Sequence, residues 1–428
     1  MDFVPGGTEA MSRRAFVKRA LAVGGSSALA ACVDRDGEPD APDGVDDPDT
    51  LPGRQHAWND ALRTDEHGND VPPRHHVLLA LDCQRDGTPT EDDRAAVERA
   101  LASVERAVER SPDGLLSTVG YSPSYFERFD APPTGVDLPK PRALTSLEDP
   151  DRHREDALVH LASDEGSLLL AAEEALFGDR ETLNGRSVEP LDGVFEVTER
   201  RTGFVGERLP AENQDVAGIP DTEPVPDEAP FFSGFRSGFA RTQASEDRVT
   251  IEDGPFAGGT TMHFERMELQ LDQWFEQDSH RQRVAKLFSP RHASEGLVGE
   301  TGENLTNDTL LTDDDLDVAA VARNEGVVGH AQKVARAREN GEPRLLRRDV
   351  NSTDGERAGL HFLSLQETIE DFVITREAMA GENLAAGTVG ARTNNGFLQY
   401  AFVRGRGNYL VPPRRLRALP PADPTGDD

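Results

Sequence analysis

Three stretches in the second half of the chain carry residue types that do chemistry: the loop Gly234-Phe235-Arg236-Ser237-Gly238, a solitary His330, and the run Leu345-Leu346-Arg347-Arg348-Asp349. Arg347 and Arg348 follow His330 by 17 and 18 residues. A neutral imidazole can ligate a metal, and a fixed guanidinium can stabilise charge building on a departing oxygen. A serine hydroxyl is not ionised near neutral pH, so Ser237 cannot act as a base. The chain has no His-Glu-x-x-His and no Cys-x-x-Cys spacing, which disfavours a zinc hydrolase. His75 and His76 are adjacent on an extended segment, where successive side chains face opposite ways, and that argues against a shared metal. His263 and His361 alternate with apolar neighbours and read as packed or solvent-facing, while His56, His67 and His153 fall in acidic loops.

Composition sets the surroundings of these groups. Acidic residues number 79 against 46 basic ones, only four of them Lys, for a net charge of −33. Such a surface repels nucleic acid and anionic lipid headgroups, so neither is expected as a partner. The acidity reads as adaptation to high salt, where screening removes the self-repulsion. At 428 residues the chain has room for two domains with ordinary cores.

The N-terminus reads as an address. Ser12-Arg13-Arg14-Ala15-Phe16-Val17-Lys18 matches a twin-arginine export signal; a weakly apolar run from Ala20 to Ala31 follows and closes on Leu29-Ala30-Ala31-Cys32, a lipobox with Cys32 as the acylated residue. The expectation is an extracytoplasmic lipoprotein held to the membrane through Cys32, with residues 1–32 as signal. Residues 33–71, rich in Asp, Gly and Pro, read as a disordered acidic linker. Cys83 is then the only thiol left, a small buried hydrophobe rather than half of a disulfide.

The elements that must position the chemistry follow from apolar periodicity. His76–Leu81 reads as a strand. Thr90 with Asp93 forms a capping box before a helix whose Val97, Leu101, Val104 and Val108 share a face. Leu115–Tyr121 and Ala157–Ala162 read as strands, Glu165–Phe177 as a helix and Val194–Glu199 as a strand. The order is βαββαβ, a ferredoxin-like unit. A second set follows: a strand through Gly259–Leu271, a helix Asp272–Phe288, a strand Gly359–Leu365, a helix Thr368–Ala380 and a strand Gly396–Val403.

Taken in order, the motifs resemble the dye-decolourising (DyP-type) haem peroxidases. The loop Gly234–Gly238 is similar to that family's Gly-Phe-[Arg/Lys]-Asp-Gly. Gly258-Gly259-Thr260-Thr261-Met262-His263-Phe264-Glu265-Arg266-Met267, closing with Asp272-Gln273-Trp274, resembles its Gly-Gly-[Ser/Thr]-Tyr strand. Ser117–Phe126 and Glu155–Asp164 resemble two segments of its first half. The resemblance spans roughly residues 75 to 415 and suggests a divergent, exported, haloarchaeal-like member.

It implies an α+β fold of two tandem ferredoxin-like domains with antiparallel sheets, arranged like a dimeric α+β barrel. The domains are expected at 72–200 and, for the haem-binding one, 201–428. It implies haem b, with His330 as the iron ligand and Arg347 or Arg348 as the distal arginine. Ser237 stands where the family places its distal Asp. Gly234, Arg236 and Gly238 form the cofactor loop, in which Arg236, like the nearby Arg241, meets a haem propionate or screens acidic neighbours. A competing register puts Lys333 at the ligand position. The implied activity is reduction of hydrogen peroxide with an unknown electron donor, weakened by Ser237. The alternatives are a non-catalytic haem-binding or iron-handling lipoprotein and, behind it, an interaction module that binds no haem. Homo-oligomerisation is left open.

Overall fold

The computed structural model describes residues 41–146, 148–381, 389–390 and 393–426. The twin-arginine signal and Cys32 lie outside the described residues. The first unit consists of β1 (His75–Cys83), α1 (Glu91–Ala107), β2 (Leu116–Tyr121), β3 (Ala157–Ser163), α2 (Gly166–Leu176) and β4 (Phe195–Phe204). The capping box forms as expected: Thr90 Oγ1 accepts from Asp93 N at 3.2 Å, and Asp93 Oδ2 accepts from Thr90 N at 2.9 Å.

The second unit consists of β5 (Thr260–Leu269), α3 (His280–Leu287), α4 (His330–Ala335), β6 (Val350–Ser352), β7 (Gly359–Gln366), α5 (Ile369–Ala380) and β8 (Ala401–Val411). The single helix expected over Asp272–Phe288 is two, because Ser279 and Gln282 form a capping box that starts a new helix. The last strand begins at Ala401, after a 3-10 turn over Gly396–Gln399.

Each unit has the strand order fourth, first, third, second: β4-β1-β3-β2 and β8-β5-β7-β6. The two sheets join edge to edge at both sides, through Phe204↔Asn351 and Tyr121↔Leu410, so the eight strands close into an antiparallel ring. Closure removes unpaired strand edges. Both seams use a small residue. A Cβ on Gly203 would meet Val350 Cγ2 at 2.3 Å, and one on Gly120 would meet Tyr409 Cβ at 3.0 Å.

Alternation along the strands sorts side chains into two compartments. Leu78, Leu158, Met262, Phe264, Leu363 and Leu365 fill the ring's interior. Val77, Leu79 and Leu81 point outward under the helices of the first unit.

Two expected boundaries change. The first unit's last strand runs to Phe204, past the boundary placed at residue 200. Residues 41–71, assigned to a disordered linker, pack against both units. Trp58 is fully buried, and Gln55 bridges Val119 O at 3.2 Å and Pro412 O at 2.8 Å. Burying one Trp and satisfying two backbone carbonyls, one from each unit, outweighs the polar composition of the segment. Among the described residues no helix is long and apolar enough to cross a membrane.

Candidate functional site

A large apolar cavity lies over the outward face of the second sheet, with about 1480 Å³ not filled by protein atoms, its mouth included. Its floor is Glu265, Met267 and Leu269 of β5 with Leu360 and Phe362 of β7, and rings from Phe231 to Phe239 and Phe288 form its sides. A concave aromatic and aliphatic hollow with a few polar groups is the usual form of a cofactor or ligand site.

The loop Gly234–Gly238 enters the wall through two left-handed glycines, with φ of 85° at Gly234 and 79° at Gly238. A side chain at either would be strained. Trp274 fixes the loop's start: its Nε1 donates to Ser233 O at 2.9 Å, and its ring meets Phe235 edge-on. Arg236, Ser237 and Gly238 line the cavity. Gly234 does not; it shapes the turn behind the wall, next to Phe275 and Pro226. Arg236 pairs with Glu207 at 2.5 Å, while its Nε is buried with no hydrogen-bond partner among the described residues. Arg241 lies 3.8 Å from Asp308 and is not on the cavity wall.

His330 opens α4 on another wall. Gly329 lets the chain approach Phe288, where a Cβ would sit 1.8 Å from Phe288 O, and Gln332 Oε1 accepts from Gly329 N at 2.8 Å. The imidazole is partly accessible through the cavity but otherwise enclosed in protein. Burial, aided by Lys333 and Arg347, lowers its pKa to about 3, so the ring is neutral. Its Nδ1 is buried with no hydrogen-bond partner among the described residues. Lys333, the competing ligand, turns away from the cavity and donates from Nζ to Asn395 O at 2.6 Å.

A two-residue strand, Leu346–Arg347, pairs with β7, and the alternation along it and into Arg348, whose N donates to Leu363 O, separates the two arginines. Leu346 pairs with Leu365 and Arg347 with Ser364. Leu345, Arg347 and Asp349 therefore face the cavity, while Leu346 enters the ring's interior. Arg348 falls on the opposite side, stacked 4.0 Å from the Trp58 ring and donating to His56 O at 2.5 Å. The structure removes Arg348 from the site and places Arg347 in it. Arg347 Nη1 donates to Ser237 Oγ at 3.3 Å and to Asp349 Oδ2 at 3.2 Å. Gln243 brackets the same residue, accepting from Arg347 N at 3.0 Å and donating to Arg347 O at 3.1 Å.

Two site residues escape the sequence reading. Asp349 lies inside a recognised run, but only the strand register turns it inward. Gln243 belongs to no motif. A second carboxylate on the cavity wall, Glu265, is fixed as an anion. Burial alone would raise its pKa, but Arg406, with Nε 2.8 Å away, and His263 outweigh it and hold it at about 2. No cluster of three His, Cys, Asp or Glu suited to a metal ion occurs among the described residues.

The model of a family of unknown function, DUF7405, matches residues 73–413. No curated protein matches the chain by sequence. Among solved structures, a dye-decolourising protein from V. cholerae is similar at 16% identity, with a TM-score of 0.51 over 84% of this chain and 98% of that one. A DyP-type peroxidase from Cellulomonas bogoriensis is similar at 19% identity and TM-score 0.51, over 83% and 96% of the two chains. A protein described as DyP-type from Shewanella oneidensis gives 16% and 0.52, over 81% and 95%. At these identities the likeness establishes a shared two-unit ferredoxin-like fold.

Proposed function

This chain belongs to the DUF7405 family, and we propose that it is an exported, membrane-anchored haem protein of the DyP type that reduces hydrogen peroxide with an electron donor yet to be identified. One observation carries the reading: three segments far apart in sequence bring His330, Ser237 and Arg347 to the wall of a single apolar cavity. Residues and cofactor fit chemically. His330 offers a neutral imidazole that lines the cavity and is partly accessible through it, as an iron ligand must be. Arg236, with its unpartnered Nε, is the guanidinium proposed to meet a propionate, in competition with Glu207. The cofactor proposed is haem b, since neither Cys32 nor Cys83 sits in a Cys-x-x-Cys-His attachment sequence.

Bound there, haem supplies the iron and the electrons that reductive cleavage of peroxide consumes. The chain supplies the rest. Aromatic walls would exclude water, His330 would hold the iron, and Arg347 would stabilise negative charge on the departing oxygen. Ser237 favours a second reading, a haem-binding or iron-handling lipoprotein without turnover, because it adds no proton-carrying group.

Haem titration at high salt tests the cofactor. A Soret band is expected from the wild-type chain and from Lys333→Ala, and not from His330→Ala. Loss of the band in Lys333→Ala alone would overturn the ligand assignment. Export and anchoring are tested separately. Changing Arg13 and Arg14 to Lys should retain the precursor in the cytoplasm, and Cys32→Ser should release a soluble form.

A further inference from the structure

The cavity contains a carboxyl group that the loop motif does not account for. Asp349 follows Arg347 by two residues, in the short segment between the Leu346–Arg347 strand and β6, and lines the cavity with it, its side chain about 10% exposed. Its Oδ2 lies 3.2 Å from Arg347 Nη1. Its Oδ1 is buried with no hydrogen-bond partner among the described residues. A buried carboxyl oxygen without a donor is costly to keep ionised, and it is also the atom left free to meet a ligand.

We propose that Asp349 is the proton-exchanging carboxyl group of this cavity, doing from the segment just before β6 the acid–base work that Ser237 cannot do from the loop. The proposal rests on the haem-protein reading above. Its geometric basis is that Arg347 Nη1 contacts both positions, Ser237 Oγ at 3.3 Å and Asp349 Oδ2 at 3.2 Å. A carboxylate relocated from residue 237 to residue 349 remains beside the same cation.

The other charged or titratable groups around the cavity leave this task to Asp349. Arg347 on its own strand, Arg236 in the loop, Arg338 and Arg344 before the strand, and Arg376 on α5 are permanent cations. Glu265 on β5 is held ionised at about 2, and His330 on α4 is held neutral at about 3. Asp349 is pushed up by burial to about 6, against the pull of Arg347. Near neutral pH it exists in both protonation states, as a proton carrier must.

The proton balance closes within the site. The Asp349 carboxylate takes the proton from one oxygen of hydrogen peroxide and delivers it to the other oxygen as the O–O bond breaks. That oxygen leaves as water; the haem would supply the two electrons that the cleavage consumes and keep the other oxygen, the electron donor would later restore those electrons, and the carboxylate ends as it began. Arg347 stabilises the negative charge until the proton arrives.

Four chains test this: wild type, Asp349→Asn, Ser237→Asp and the double variant. In the haem-free chain, infrared difference spectra of wild type against Asp349→Asn should show a carboxyl band titrating near 6. With haem bound and the Soret band intact, Asp349→Asn should lose about 10²-fold or more in peroxide turnover. Adding Ser237→Asp to it should restore part of that loss, which a purely structural role of Asp349 would not allow. Should Asp349→Asn fail to fold, Asp349→Glu moves the band and carries the same titration. Turnover unchanged in a haem-loaded Asp349→Asn chain would overturn the assignment, as would a carboxyl already ionised well below its expected midpoint. A wild-type chain that takes up no haem would overturn the cofactor reading instead, and with it the peroxide role; the infrared midpoint is read independently of that result.

Discussion

The two ferredoxin-like units share one strand order and differ in what lies on the outer face of each sheet. In the first, Val77, Leu79 and Leu81 are completely buried beneath α1 and α2. In the second, Glu265, Met267, Leu269, Leu360 and Phe362 face a cavity. The cause is the link between the first two strands. In the first unit residues 84–115 make it and hold α1 directly on the sheet; in the second, residues 270–349 make it and carry α3 and α4. The long crossover arches over the sheet instead of settling on it. A repeated backbone thus supplies rigidity twice and a site once, and the site belongs to the inserted segment and the linker between units more than to the sheet itself.

Acid offers the strongest way to break the first unit and its packed N-terminal segment, because several groups act together. His56 and His76 are lowered to about 3, and His75 to about 4, in each case chiefly by burial. Between those values and the ordinary histidine pKa of roughly 6.5 the unfolded chain binds more protons than the folded one, so stability falls as pH falls through that window. Asp349 acts in the opposite sense, since its raised pKa contributes stability that is full below about 4 and lost as pH rises through about 6. Asp70, Asp82, Asp156 and Glu367 are raised as well, but the histidines act together with carboxyls held low by their partners, among them Asp93 and Glu265 at about 2, so the net expectation for the haem-free protein is loss toward acid. Urea unfolding at pH 7 and pH 5 in constant high salt checks it, and His76→Asn should flatten the difference.

A matched pair of truncations sharpens the contrast between a filled and a hollow face. Leu79→Ala removes a side chain enclosed on every side and should cost roughly 2–5 kcal/mol. Met267→Ala enlarges a cavity that already exists and should cost less than about 2 kcal/mol. Equal losses in the haem-free protein would mean that the hollow closes when nothing fills it.

The parts legible in the sequence are those fixed by short-range rules. The short apolar run His76–Leu81 and the pairing of Thr90 with Asp93 specify a strand and a helix start without reference to the rest of the chain. The order of elements was therefore readable, and with it the fold. Which of Arg347 and Arg348 reaches the site was not. That depends on Leu346 pairing with Leu365, a register set by residues far away in sequence. Asp349 was hidden for the same reason. Trp58 was the overlooked signal in the segment read as a tether, since a large aromatic ring in a polar stretch seeks a place to be buried.

The smallest expected effect concerns Gln243, which touches Arg347 only through its backbone. Two hydrogen bonds join them, at 3.0 and 3.1 Å, and a net contribution of about 0.5–1.5 kcal/mol each bounds the stability lost in Gln243→Ala. Among the described residues no hydrogen bond joins the first unit to this clamp, so the loss should appear as local opening of the 237–243 and 345–349 segments, read by hydrogen exchange, with protection of β1 and β3 unchanged. The consequence for the site is sharper than the energy. Arg347 is the cation that pulls the Asp349 pKa down against burial. Loosening it should move the Asp349 carboxyl midpoint upward. Gln243→Glu separates the two bonds, because a carboxylate still accepts from Arg347 N but has no N–H to give to Arg347 O. It should retain about half of the stability and less of the midpoint shift. An unchanged midpoint in both variants would show that Arg347 is positioned by its contacts with Ser237 and Asp349 alone.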